Sequence, residues 1–222
     1  MSRISLLRDD QVSPLLRWVF RLLRRRYREV PEPMRAAAVH PGLMWAGGLH
    51  ELAVERANRR GRLAPELRDL VVHRVATRVG CSWCVDFGTM LALRAGFSVE
   101  RHRELGHYRT SAAFTQLEKQ ALEYADAMTD LPMTVTDAQV AALRAELGDA
   151  GLFELTYAIG LENLRARVNH ALGLTAQGYT SGDACPLPWA EQITAAAPAV
   201  AVRPCPLPGA GRVPARPAAS PG

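Results

Sequence analysis

Apolar side chains recur every three or four residues along most of the first three quarters of the chain, which is the spacing that places them on one helix face. The pattern predicts helices over 13–29, 43–59, 65–79, 81–93, 98–105, 114–128, 136–147 and 152–172. Pro65 suits the first position of a helix, and Gly80 suits a helix end. No stretch shows a convincing alternation of apolar and polar residues, so we predict an all-α protein.

Changes in composition divide the chain into three parts. Residues 1–34 contain an amphipathic helix with an arginine cluster at 24–26. We expect this helix to pack on the core or on another subunit, and an interfacial membrane helix is the alternative. Residues 35–180 form the predicted single helical domain. Residues 181–222 are rich in Pro, Ala and Gly, and we predict a disordered tail that carries Cys185 and Cys205.

The overall composition narrows the class of protein. The chain has 222 residues, 48% of them hydrophobic, which is enough for one buried core. The net charge of +5 comes almost wholly from arginines, which we interpret as solvated helix faces rather than a nucleic-acid site. The sequence shows no export signal and no membrane span, so we expect a cytoplasmic protein. Four cysteines in such a chain argue against a disulfide framework.

The pair Cys81 and Cys84 carries the most informative chemistry. The two thiols are three residues apart at the predicted start of a helix, where unpaired N–H groups favour the thiolate. Such a dithiol can be oxidised and reduced without a cofactor. A zinc site needs further ligands, which we do not find together in the sequence, and two buried inert cysteines are the other alternative.

Several stretches around these cysteines resemble the carboxymuconolactone decarboxylase family in its alkyl hydroperoxidase D-like branch. They are Leu-Arg-Asp-Leu-Val-Val at 67–72, Gly-Cys-Ser-Trp-Cys at 80–84 and Ala-Gly at 95–96. The segment 155–174, with Asn163, Arg167 and Asn169, is similar to the C-terminal helix of such proteins. The resemblance covers roughly residues 35–175 and is closest at the two cysteines.

The resemblance implies an all-α fold, a homo-oligomer, commonly a trimer or hexamer, and thiol-dependent peroxidase activity in antioxidant defence. It also implies a proton relay made of an acid twelve residues before the first cysteine and a histidine four residues after the second. The acid position holds Asp69, but the histidine position holds Gly88, which cannot transfer a proton. In the family pattern this relay frees the deeper thiol, here Cys84.

Two residues are candidate substitutes for the missing histidine. His73 lies one helical turn beyond Asp69, and a carboxylate beside it raises the imidazole pKa so that the ring passes a proton near neutral pH. A packing histidine is the alternative. Asp86 follows Cys84 closely, and its alternative role is to complement the helix dipole. We name Cys81, Cys84, Asp69 and His73 as the candidate catalytic residues, with no metal and no cofactor.

The predicted function is that of a thiol-dependent peroxidase or disulfide oxidoreductase. Its partners are a peroxide or disulfide substrate and a dithiol reductant, and we expect a homo-oligomer without nucleic acid or a membrane span. Gly88 motivates one alternative, a catalytically silent helical oligomer that binds a partner protein. The other alternative is an enzyme of the carboxymuconolactone decarboxylase type.

Overall fold

The computed structural model describes residues 2–180, and the tail predicted for 181–222 lies outside this part. It contains α1 (Pro14–Tyr27), α2 (Glu32–Ala37), α3 (Pro41–Asn58), α4 (Pro65–Val79), α5 (Ser82–Ala95), α6 (Val99–Glu104), α7 (Gln116–Thr129) and α8 (Asp137–Ala171). No strand occurs in the described part, so the predicted all-α fold is confirmed.

Glycine and proline set several helix boundaries where the sequence predicts them. Pro65 is the first residue of α4, and Gly80 ends it with a φ of 79°, a conformation that costs a glycine little. Gly148, at φ 67° and ψ 175°, breaks α8 between the two helices predicted there. The sequence prediction missed α2, which lies between the predicted helices 13–29 and 43–59 and has Pro33 in its first turn. A proline in the first turn removes only an N–H that lacks a helical partner.

Three helices, α4, α7 and α8, pack against one another and form the main core. The helical spacing of apolar residues predicted for α4 is confirmed, because its inward face is fully buried. The buried side chains of this core include Leu67, Leu70, Val71, Val75, Leu105, Tyr108, Leu122, Leu143, Leu155 and Ile159.

A buried ion pair holds α4 against α7. The Arg74 guanidinium donates to both carboxylate oxygens of Asp126, with Nε–Oδ1 at 2.7 Å and Nη2–Oδ2 at 2.9 Å. The Tyr108 hydroxyl donates to the same carboxylate at 2.9 Å. Removing Asp126 would leave the buried Arg74 guanidinium without its ion-pair partner, so this cluster helps to fix how the two helices pack.

Helix α5 packs across α4 and α8 and carries the two candidate cysteines. Segments from both ends of the described chain lie over it. Near the start, the Arg3 backbone N–H donates to the Leu172 carbonyl at 2.7 Å, just beyond α8. Ile4, Leu6, Leu172, Leu174 and Tyr179 pack against the buried cluster that contains the cysteines. The dithiol site is therefore covered by chain on the side away from the main core.

The carboxylate of Asp86 fastens the segment that follows α8. Its Oδ2 accepts the backbone N–H groups of Gln177, Gly178 and Tyr179 at 2.9–3.0 Å. Its Oδ1 accepts the N–H and the hydroxyl of Thr180 at 2.9 and 2.8 Å. A buried carboxylate with this many donors is a structural anchor.

Helix α1 packs on the rest of the molecule through Leu16 and Phe20, in one buried cluster with Val30 and Met44. Leu15, Trp18 and Leu22 point away from that cluster and are exposed. None of the helices between residues 2 and 180 is both long and apolar enough to cross a membrane.

Candidate functional site

The two cysteines lie where α4 turns into α5, and they are joined by a disulfide. Gly80, in the left-handed conformation, reverses the chain, and Cys81 then caps the N-terminus of α5. The Cys84 backbone N–H donates to the Cys81 sulfur at 3.2 Å. The predicted position of this pair at a helix start is thus confirmed, and a helix N-terminus favours the thiolate form of a nearby cysteine.

Both cysteines are buried, but not equally. Cys81 is 1% exposed and Cys84 is 8% exposed. The family resemblance implies that Cys84 is the deeper thiol, and in this disulfide state the order is reversed. Cys84 is therefore the more exposed residue of the pair in this state.

Trp83, between the cysteines, turns toward the segment after α8. Its indole N–H donates to the Gln177 side-chain oxygen at 2.8 Å. Its ring stacks on Phe87, with the ring centres 4.7 Å apart. Trp83 belongs to the same buried cluster as the two sulfurs, so it helps to keep water from the disulfide.

A polar side chain from α8 also contacts Cys84. The Asn169 amide nitrogen donates to the Cys84 sulfur at 3.4 Å, and Asn169 is 6% exposed. Asn169 was noticed in the sequence only as part of the family resemblance. No local pattern marks it as a site residue, because its closeness to Cys84 depends on how α8 packs on α5.

The sequence predicts that Asp69 serves His73, but the two side chains form no hydrogen bond. Its Oδ2 lies 2.6 Å from Nε2 of His102, a buried histidine of α6. His73 instead stacks on His102, with the ring centres 4.1 Å apart and the planes 8° from parallel. The carboxylate therefore orients His102, and His102 in turn fixes the ring of His73.

The predicted effect of Asp69 on the pKa of His73 is wrong. Burial, and then the neighbouring His102, hold the pKa of His73 well below its ordinary value. The ring is therefore neutral at neutral pH, and its buried Nδ1 has no hydrogen-bond partner among the described residues. A Cβ atom added at Gly88 would lie 3.7 Å from this nitrogen. His73 thus approaches the place where the family carries its histidine, but from α4.

Asp86, the second candidate substitute, is fully engaged in holding the segment 177–180. This anchoring accounts for the burial of Asp86 without a role in a proton relay or in complementing the helix dipole. Among residues 2–180, no three His, Cys, Asp or Glu side chains are grouped as metal ligands would be. Cys185 and Cys205 lie outside the described part.

His102, which contacts both Asp69 and His73, is not among the candidate residues predicted from the sequence. It lies 33 positions after Asp69, on a short helix whose packing depends on the whole fold. In the sequence, only its place in the predicted short helix 98–105 could have marked His102 as a candidate. A histidine that merely packs in the core has the same appearance.

Comparisons with known proteins identify the family of this chain. The family model of the carboxymuconolactone decarboxylase family matches residues 45–127. The uncharacterized protein YnjA of Escherichia coli strain K12 is 37% identical over 157 residues, which cover 71% of this chain and 85% of YnjA.

Two solved structures share the fold at lower identity. One is an alkylhydroperoxidase AhpD core from Ralstonia eutropha JMP134, with a TM-score of 0.69 at 16% identity over 80% of this chain and 94% of that one. The other is the debrominase Bmp8, with a TM-score of 0.66 at 20% identity over 78% of this chain and 91% of that one. The chain belongs to the carboxymuconolactone decarboxylase family and has the alkyl hydroperoxidase D-like fold.

Proposed function

We propose that this protein is a thiol-dependent peroxidase or disulfide oxidoreductase that cycles between the Cys81–Cys84 disulfide and the dithiol. The observation that carries the proposal is the disulfide itself, placed at the N-terminus of α5 with both partners buried. A helix N-terminus favours the thiolate, and a pair three residues apart closes and opens without moving the rest of the fold.

In the proposed cycle the Cys84 thiolate attacks the terminal oxygen of a hydroperoxide. The O–O bond breaks, the alcohol leaves with a proton, and Cys84 becomes a sulfenic acid. The Cys81 thiol then attacks this sulfur, releases water and forms the disulfide. A dithiol donor reduces the disulfide by two exchange steps and is itself oxidised. With a disulfide substrate, Cys84 attacks sulfur instead, and Cys81 releases the second thiol.

The Asp69–His102–His73 cluster is proposed to assist the proton transfers of this cycle. Asp69 acts through His102, which it bonds at 2.6 Å, and His73 presents a neutral ring toward α5 beside Gly88. Gly88 is one helical turn beyond Cys84, so the two positions share a face. The His73 Nδ1 is therefore proposed to exchange a proton with Cys84 or with the leaving oxygen through one water molecule.

Exposed apolar side chains support the expected homo-oligomer, which stays a prediction. They lie along the outer faces of α3 and α8 and include Leu43, Leu49, Leu52, Phe153, Leu164 and Val168. Large apolar surfaces of this kind are typical of contacts between proteins.

A turnover assay tests the proposed function. The full chain, at catalytic concentration, is given a dithiol donor and, in separate reactions, hydrogen peroxide, an organic hydroperoxide and an aromatic disulfide. We expect at least one substrate to be reduced well above the donor-only rate, with one donor oxidised per substrate. If no substrate is turned over, the protein is not a redox enzyme of this kind, and the catalytically silent oligomer becomes the better account.

A further inference from the structure

A buried amide beside a sulfur atom needs an energetic explanation. Asn169 lies in the last turn of α8, and its side-chain nitrogen donates to the Cys84 sulfur at 3.4 Å. Burying an amide costs free energy unless good hydrogen bonds replace those it makes to water. The sulfur of a disulfide is a weak acceptor, so this contact offsets little of that cost.

The same contact becomes favourable when Cys84 carries a negative charge. Hydrogen bonds to ionised acceptors are roughly twice as strong as those between neutral groups. Near the C-terminus of α8 the helix dipole is negative and disfavours a nearby thiolate, so a donor there matters more. The site is thus arranged for the reduced, ionised state rather than for the disulfide.

Asn163, two turns earlier on α8, makes the contrast clear. Its amide nitrogen donates to the Thr129 hydroxyl at 3.0 Å and to the Ile159 carbonyl of its own helix at 3.2 Å. These are ordinary structural bonds, one to α7 and one within α8. The Asn169 amide nitrogen instead donates to the sulfur of Cys84.

We propose that Asn169 is a positioning residue whose amide stabilises the Cys84 thiolate and so favours the dithiol over the disulfide. The inference rests on the proposed redox function and deepens it. When a dithiol donor reduces the disulfide, the donor becomes a disulfide and its two electrons and two protons pass to Cys81 and Cys84. Cys81 keeps its proton as a thiol, the proton on Cys84 is released to water, and the Asn169 N–H stabilises the thiolate that remains.

The expected effect is specific in size and in pH dependence. In Asn169→Leu, which keeps the branched shape and the number of heavy atoms but removes the donor, the Cys84 thiolate should be about tenfold less populated at a given pH below its midpoint. The dithiol–disulfide equilibrium should move about tenfold toward the disulfide at alkaline pH, which corresponds to about 30 mV. The shift should vanish at acid pH, where the thiol is protonated in both proteins.

The three helices around Cys84 carry other titratable groups: His73 on α4, Asp86 on α5 and His170 on α8. His170 Nδ1 lies 3.1 Å from the Gly80 carbonyl oxygen. They are the same in the wild type and in the variants, so their contributions cancel in the comparison. Asn169→Asp provides a second, nearly isosteric variant, which places a carboxylate against the thiolate and should shift the equilibrium further than Asn169→Leu.

The experiment is a redox titration of the full chain against dithiothreitol buffers over a range of pH, combined with ultraviolet thiolate absorbance. Asn163→Ala is the matched control and should follow the wild type. A wild-type disulfide that opens reversibly, with Asn169→Leu and Asn169→Asp on the wild-type curve at every pH, would overturn the role of Asn169 alone. A wild-type disulfide that cannot be reduced without unfolding would instead overturn the proposed function.

Discussion

Replacing Cys84 by serine is expected to lower peroxide or disulfide turnover by about a thousandfold or more, to the uncatalysed rate. The physical reason is that the sulfur is the attacking atom, and a serine hydroxyl at the same place stays protonated and is a far weaker nucleophile. Cys81→Ser should also stop the cycle, but one step later, because Cys84 can still attack and then lacks its resolving partner. The measurement is steady-state turnover with a dithiol donor.

The two single variants also separate the roles of the thiols. Cys81→Ser should trap a mixed disulfide with an aromatic disulfide substrate on Cys84, whereas Cys84→Ser should trap none on Cys81, the more buried residue at 1% exposure, when the modified cysteine is mapped by mass spectrometry. Cys185→Ser and Cys205→Ser, in the Pro-rich tail, are the matched controls and should keep full activity. Full turnover by either Cys81→Ser or Cys84→Ser would contradict the dithiol cycle.

Removing the ring of His73 is expected to slow turnover by about a hundredfold, the lower range for loss of an acid–base group. His73→Ala deletes the imidazole whose Nδ1 faces Gly88. Placing a histidine at position 88 in the same chain should restore much of the rate, because it returns the family arrangement on α5. Gly88→His alone should give no such gain. A Cβ at 88 fits at 3.7 Å from His73, but a whole imidazole there meets the resident ring.

Asp69→Asn and His102→Gln should each slow turnover in the same direction, and the two changes together should cost little more than either one. They act in series on His73, so their effects are not additive. His107→Ala, an exposed histidine of the same region, is the control and should leave the rate unchanged. The proposed role of the cluster is wrong if His73→Ala turns over at the wild-type rate.

The sequence was sufficient for those features that depend on local chemistry. Helical periodicity, Pro65 at a first helical position and glycines at helix ends predict most of the helices. The position of Cys81 and Cys84 at a helix start also follows from local rules, since Gly80 ends one helix and the next begins at once.

The remaining features of the site depend on contacts between distant parts of the chain. Spacing on one helix suggested that Asp69 serves His73, yet the carboxylate meets His102 from α6. Similarly, the amide of Asn169 reaches Cys84 across 85 positions of sequence. Helical spacing says which residues share a face, but it does not say which neighbouring helix that face meets.

The central claim is that Cys81 and Cys84 form a reversible disulfide that works as a redox couple. The most direct measurement is a redox titration of the folded full chain, with the state of each cysteine mapped by mass spectrometry. The account predicts that mild peroxide removes two hydrogens from the peptide that carries both cysteines and that dithiothreitol restores them. The helix content, followed by far-ultraviolet circular dichroism, should stay constant throughout. A pair that stays reduced under peroxide, or that instead binds one zinc ion per chain, would contradict it.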